Sequence, residues 1–104
     1  MGALEQALIA QILLKVGSRP NCRLWRQSTG LALSPDGKRP ISFGLKGSAD
    51  ISGILADGRR IEIEVKTSNT KQSAAQVSFQ RMIQKMGGVY VVARSVDDVL
   101  DVLP

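Results

Sequence analysis

The sequence predicts an α/β fold, with a small mixed β-sheet flanked by helices. Three observations lead there. Residues 3–16 and 73–86 carry apolar side chains at helical spacing. Between them, residues 50–55 and 60–66 alternate apolar and polar as paired strands do. A continuous apolar run of strand length, Val89–Ala93, then follows the second helix. At 104 residues the chain is one domain, 1–104, able to bury only a modest core.

In the first helix Leu4, Leu8 and Ile12 form one row, and Ile9, Leu13 and Val16 supply the next. Glu5 falls on the Ile9–Ile12–Val16 side rather than on the polar side. Gly17 and Pro20 mark the stop. Residues 22–28 read as a strand with basic residues interleaved. Residues 29–40 hold Gly30, Pro35, Asp36-Gly37 and Pro40 and read as turn and loop. Residues 41–45 are a short strand.

The centre is a hairpin turning at Asp57-Gly58. In its second strand Ile61, Ile63 and Val65 face a core, while Glu62, Glu64 and Lys66 face the other way. Asp50 and Ser52 share one parity in the first strand, and Ile51 and Leu55 the other. Two carboxylates and a lysine can thus converge on one side of the hairpin. Residues 67–72 are a polar loop. The second helix, 73–86, opens with a capping box formed by Ser73 and Gln76. It carries Ala75, Phe79, Met82 and Met86 on one face and ends at Gly87-Gly88. Ser95 and Asp98 open a last short helix reaching about residue 103 by the same capping logic.

Composition restricts the chemistry. The formal net charge is +5 and the isoelectric point about 9.9, which favours polyanionic partners, nucleic acid before anionic membrane surfaces. There is no histidine, which excludes every His-based catalytic arrangement. The single cysteine, Cys22, excludes an intrachain disulfide, and with no histidine it excludes a Cys₄ or Cys₂His₂ zinc site within one chain. Cys22 reads as a small, partly buried residue. An enzyme of this composition works with carboxylates, lysine, or a metal held by oxygen ligands. No basic leader with an apolar run opens the chain, and no stretch reaches the roughly 18 apolar residues of a membrane span. The expectation is a cytoplasmic protein with no signal peptide and no membrane partner.

Asp50, Glu64 and Lys66 are the residues that suit such chemistry. Magnesium takes oxygen ligands in octahedral geometry, and two carboxylates on adjacent strands can hold it at one edge. A bound ion activates water and stabilises charge on a phosphate under attack. Lys66, two residues after Glu64, points to the same side and can orient water or stabilise the developing charge. A Glu-x-Lys on an open hairpin face also occurs as a merely solvated surface. Glu62, of the same parity, reads as solvated or as the partner of a nearby base. Trp25 is core packing, or a stacking surface for a base or a partner subunit.

Residues 47–53 (Gly-Ser-Ala-Asp-Ile-Ser-Gly) and 58–67 (Gly-Arg-Arg-Ile-Glu-Ile-Glu-Val-Lys-Thr) resemble the PD-(D/E)xK nuclease superfamily. More narrowly, the chain resembles the VRR-NUC family, the virus-type replication-repair nucleases. The likeness continues through Ser73-Ala74-Ala75-Gln76, Phe79 and residues 87–93. Upstream it includes residues 23–26 and Thr29-Gly30, so that it spans nearly the whole chain in order. The proline of the superfamily name is replaced by Ala49.

The resemblance implies a restriction-endonuclease-like core and a metal-dependent DNA endonuclease, selective for branched DNA such as four-way (Holliday) junctions. It implies that Asp50 and Glu64 are metal ligands with the Val65 backbone carbonyl, and that Lys66 is the catalytic lysine. Gln76 completes the motif near the site, and Glu5 is the acidic residue of the first helix that assists a metal directly or through water. The implied cofactor is Mg²⁺, with Mn²⁺ able to substitute and no small-molecule cofactor. The implied assembly is a homodimer, for which the apolar residues of the first and last helices are candidate contacts.

Basic residues near the site are expected to hold DNA phosphates: Lys46, Arg59 and Arg60 at the hairpin tip, Lys71, and Arg26. Two other readings compete. One is a non-catalytic DNA-binding module of the same fold; the other is an interaction domain whose charge serves solubility alone.

Overall fold

The first helix, α1 (Ala3–Val16), lies where its spacing predicts and buries Ile9, Ile12 and Val16. The computed structural model describes residues 2–28 and 30–104; Thr29, part of the resemblance above, lies outside them. After α1 come β1 (Cys22–Arg26), β2 (Gly30–Leu33), β3 (Pro40–Phe43), β4 (Ile51–Leu55), β5 (Arg60–Val65), α2 (Ala74–Lys85), β6 (Val89–Ala93) and α3 (Val96–Leu100). The main sheet has the order β1-β4-β5-β6. Its β1–β4 and β4–β5 pairs are antiparallel, and β6 joins β5 in parallel. The parallel step needs a crossover, which α2 supplies. The architecture is therefore α/β, a small mixed sheet flanked by helices. None of the described helices is long and apolar enough to cross a membrane.

The two sheet faces differ in chemistry. On one, Ile51, Ile61, Ile63, Val91 and Ala93 form the core with Ile9, Ile12 and Val16 of α1 and Val99 of α3. Cys22 belongs to this cluster, its thiol donating to the Val16 carbonyl at 3.3 Å. On the other face α2 packs against β6 and buries Phe79 and Ile83. Because β5 lies between β4 and β6 and is covered on both sides, its polar side chains are buried as deeply as its apolar ones. Glu62 and Glu64 are each 1% exposed.

Several sequence expectations need correction. Residues 29–40 are not all loop: β2 pairs with β3, and Pro35, Asp36 and Gly37 form the connection, with Gly37 at φ +73°. Pairing satisfies the backbone groups of a segment whose turn residues had suggested coil. The buried stripe of α2 is Phe79–Ile83; Met82 and Met86 are exposed, because a helix resting on one edge of a sheet covers only a narrow strip. The apolar stripes of α1 and α3 pack on each other and on the sheet, so most of those side chains are consumed inside the domain and are not free for a dimer contact. Leu4, Leu14 and Val102 remain exposed.

Candidate active site

Strand register arranges the second face in rows. Trp25, Ser52, Glu62 and Tyr90 lie side by side across β1, β4, β5 and β6. Two residues further along β5, Glu64 pairs with Val92. Asp50 immediately precedes β4 at the same edge, tied to Val65 by a hydrogen bond from the Val65 amide to Asp50 Oδ2 at 2.8 Å. Lys66 immediately follows β5 and donates its own amide to the Ala93 carbonyl. The expected trio is thus brought together at the edge of the sheet that β4 enters and β5 leaves.

Glu64 is the best-determined member. Its Oε1 accepts from the Tyr90 hydroxyl at 2.8 Å and from Gln72 Nε2 at 3.0 Å. Gln72 is steadied in turn by donation to Gln80 on α2. The other oxygen, Oε2, is buried and accepts no hydrogen bond, with Lys66 Nζ 3.4 Å away. The Lys66 side chain is itself only 14% exposed and reaches Gln76 Oε1, also at 3.4 Å. Gln76 therefore does two things at once, because the same Oε1 accepts the Ser73 amide in the capping box. The capping box expected for it is present, and the same side chain lies within reach of Lys66.

Glu5 reaches the edge of this site from α1, accepting from Thr67 Oγ1 at 3.5 Å. Its charge is one of those that raise the Asp50 pKa. Among the described residues, however, no three carboxylate or thiolate side chains form a ready metal cluster.

Electrostatics marks this edge as strained. Burial raises the Asp50 carboxyl above its ordinary 3.8, opposed by the Val65 amide and reinforced by Glu64 and Glu5. With a folded-state value above the unfolded one, the native state binds more protons in the window between them. The contribution of Asp50 to stability therefore falls as pH rises from about 4 through the raised value, and stays reduced above it. Asp50→Asn is expected to melt above wild type at pH 7 in chelator, the gap closing as pH falls towards 4. Equal melting curves at pH 7 would mean that Asp50 carries no such penalty.

Tyr90 and Gln72 were missed by sequence reasoning. Tyr90 sits inside an apolar run that reads as buried strand, and only its register with Glu62 places its hydroxyl near the carboxylates. Burial first, then the hydrogen bond to Glu64, raise its pKa, so it acts as a neutral donor. Partners of this kind orient metal-ligating carboxylates, and losing one typically weakens metal affinity about 10- to 100-fold. A metal held at Glu64 would accordingly be bound about tenfold more weakly by Tyr90→Phe, read by calorimetry with Mn²⁺; unchanged affinity would mean that Gln72 suffices.

The basic residues divide. Arg26, at the end of β1, borders a polar cleft with Ser48 and Asp50 and donates to Gln6. Lys46 is exposed in the segment leading to Asp50, and Lys71 is exposed beside Gln72. Arg59 and Arg60 do not border the site. The hairpin tip lies at the opposite edge of the sheet, about five residues or 17 Å from Glu64 along β5. There Arg59 pairs with Asp57, and Arg60 Nε donates to Glu62 Oε1, each at 2.8 Å. Glu62 is accordingly not solvated; it is the buried partner of a base, held also by the Ser52 hydroxyl at 2.6 Å.

Fold and site together define a small α/β protein with a buried carboxylate–lysine centre at one sheet edge. No protein-family model matches the chain, and no curated protein matches it.

Proposed function

We propose that this protein is a metal-dependent DNA endonuclease with a PD-(D/E)xK core, of the VRR-NUC kind. The observation that carries the reading is Glu64 Oε2: a buried carboxylate oxygen without a hydrogen bond, at the same sheet edge as Asp50 and 3.4 Å from an enclosed lysine. Lys66 offsets its charge from 3.4 Å but donates no hydrogen bond to it, so a metal cation at this oxygen would satisfy what the lysine leaves open. Asp50 and Glu64, with the Val65 carbonyl, would hold Mg²⁺ or Mn²⁺. When bound, the ion would supply an activated water and charge neutralisation at the phosphate.

The protein's own groups do the rest. Lys66, restrained by Gln76 and Glu64, presents its ammonium to the phosphate oxygens as negative charge builds on them. Tyr90 and Gln72 keep Glu64 in one rotamer, so that Oε2 rather than Oε1 faces the site. Lys46, Lys71 and Arg26 hold the flanking phosphates without reading sequence. A symmetric homodimer would place two such sites on opposed strands of a branched substrate.

The test is cleavage of a four-way junction, a flap and a linear duplex in magnesium, with Asp50→Ala alongside. Cutting that favours the branched substrates and vanishes in the variant is the expected result. A folded protein that cuts none of them in magnesium or manganese would overturn it, leaving a DNA-binding module.

A further inference from the structure

The half of the second sheet face that α2 leaves uncovered carries an unusual set of side chains. Arg23 and Trp25 project from β1, Ile54 from β4 and Arg60 from the start of β5, and all are exposed. Trp25 is 41% and Ile54 47% exposed. Register makes them neighbours: Arg23 faces Ile54, Ile54 faces Arg60, and Trp25 faces Ser52. The Arg60 guanidinium lies over the Trp25 ring at 6.0 Å from its centroid, near the outer limit of a cation–π contact, so it does not close the ring to a further stacking partner. Glu62 anchors Arg60 from below and offsets its charge, so the patch presents the Arg23 charge, the outer edge of the Arg60 guanidinium and an aromatic face to solvent. β1 is an edge strand, which leaves the patch open on its outer side. On its inner side a cleft runs between the sheet (Ser52, Glu62, Arg60) and α2 (Phe79, Met82, Ile83).

We propose that this patch is a stacking platform for unpaired nucleotides of single-stranded DNA, with Trp25 taking a base and Arg23 and Arg60 the adjoining phosphates. The chemistry matches: successive bases stack on exposed aromatic rings while cations track the backbone, with little dependence on sequence. A second copy of this chain fits less well, because self-pairing of the patch would set arginines against arginines. Strand spacing puts the Trp25 backbone about 12 Å from that of Glu64, on the same face. A strand stacked here would pass towards the site from its unpaired side. The proposal deepens the DNA-cleavage reading by naming the feature recognised, and rests on that reading only for what lies at the far end of the strand.

Trp25 is the only tryptophan in the chain, so its emission reports on the patch directly. The experiment titrates the protein, in chelator, with a twelve-nucleotide oligothymidylate and separately with a blunt duplex. Saturable quenching by the single strand, weakened by salt and much smaller with duplex, is expected. Anisotropy of a labelled oligothymidylate should show Trp25→Ala binding about 5- to 150-fold more weakly. Arg23→Glu should weaken it as well, with both variants melting like wild type. Glu64→Gln should bind the single strand as wild type does while losing cleavage, which separates the two proposals. Unchanged emission, equal quenching by duplex, or wild-type affinity in folded Trp25→Ala would overturn the platform even if the protein cuts DNA. An emission change with protein concentration alone, accompanied by dimer formation, would assign the patch to a second copy instead.

Discussion

Lys66→Met is expected to slow DNA cleavage by about 10²- to 10³-fold, the usual loss when one preorganised charge is taken from a phosphate-stabilising site. Methionine keeps much of the side-chain volume in a position only 14% exposed, so packing changes little. Charge changes a great deal. Glu64 would keep its carboxylate in a buried site with no cation nearby, and removing one partner of a buried pair costs about 3–5 kcal/mol. Lys66 is partly exposed and its contact with Glu64 is long, so the lower end of that range applies. The variant should melt below wild type in chelator and recover when Mg²⁺ is added, because a ligand bound only by the native state stabilises it. Measuring single-turnover cleavage at saturating Mg²⁺ then separates chemistry from folding. A variant that cuts within threefold of wild type would make Lys66 a structural counterion and no more.

Gly47→Ala is expected to lower unfolding stability by about 2–4 kcal/mol in a urea titration, combining left-handed backbone strain with overpacking. Gly47 has φ +84°, and a Cβ there would stand 2.3 Å from the Ala75 carbonyl oxygen in the first turn of α2. The segment leading to Asp50 is therefore pressed against the helix start that carries Gln76. Gly37→Ala is the natural comparison. It has a similar φ of +73° but nothing within 4 Å of the added carbon, so it should cost only about 1–2 kcal/mol. The difference isolates the close approach. Because that approach fixes the segment leading into Asp50 against the helix start that carries Gln76, any metal held by Asp50 should be bound more weakly in Gly47→Ala and not in Gly37→Ala. Equal effects of the two substitutions would show that the contact with α2 positions nothing.

Much of the candidate site was legible because its spacing is local. Glu64 and Lys66 differ by two residues on one strand, and a period of two puts them on one side whatever the strand packs against. Asp50 follows from the Asp57-Gly58 turn, which sets the hairpin register. Gln76 follows from the capping box, whose chemistry is complete within four residues. Glu62 was left open between a solvated residue and the partner of a base for the converse reason, and the second reading is the one the fold selects. Its parity was right, but whether that side is wet depends on α2, and nothing in the hairpin says where α2 will lie. Arg59 and Arg60 were expected on a hairpin-tip loop bordering the site, but each residue of an extended strand adds about 3.3 Å, which carries that tip away from Glu64.

By itself, the sequence determined the helices, the central hairpin, the exclusion of histidine and disulfide chemistry, and the side on which Asp50, Glu64 and Lys66 meet. These follow from side-chain period, turn residues and composition, all properties of short segments. Tertiary structure alone decided that β1 pairs with β4, that β6 lies parallel to β5, and that α2 covers one half of the polar face and leaves Trp25 bare. It also brought Tyr90 and Gln72 to Glu64 Oε1 and left Oε2 without a donor. Those outcomes depend on which distant segments share a sheet and which face a helix shields, and no local pattern carries that information.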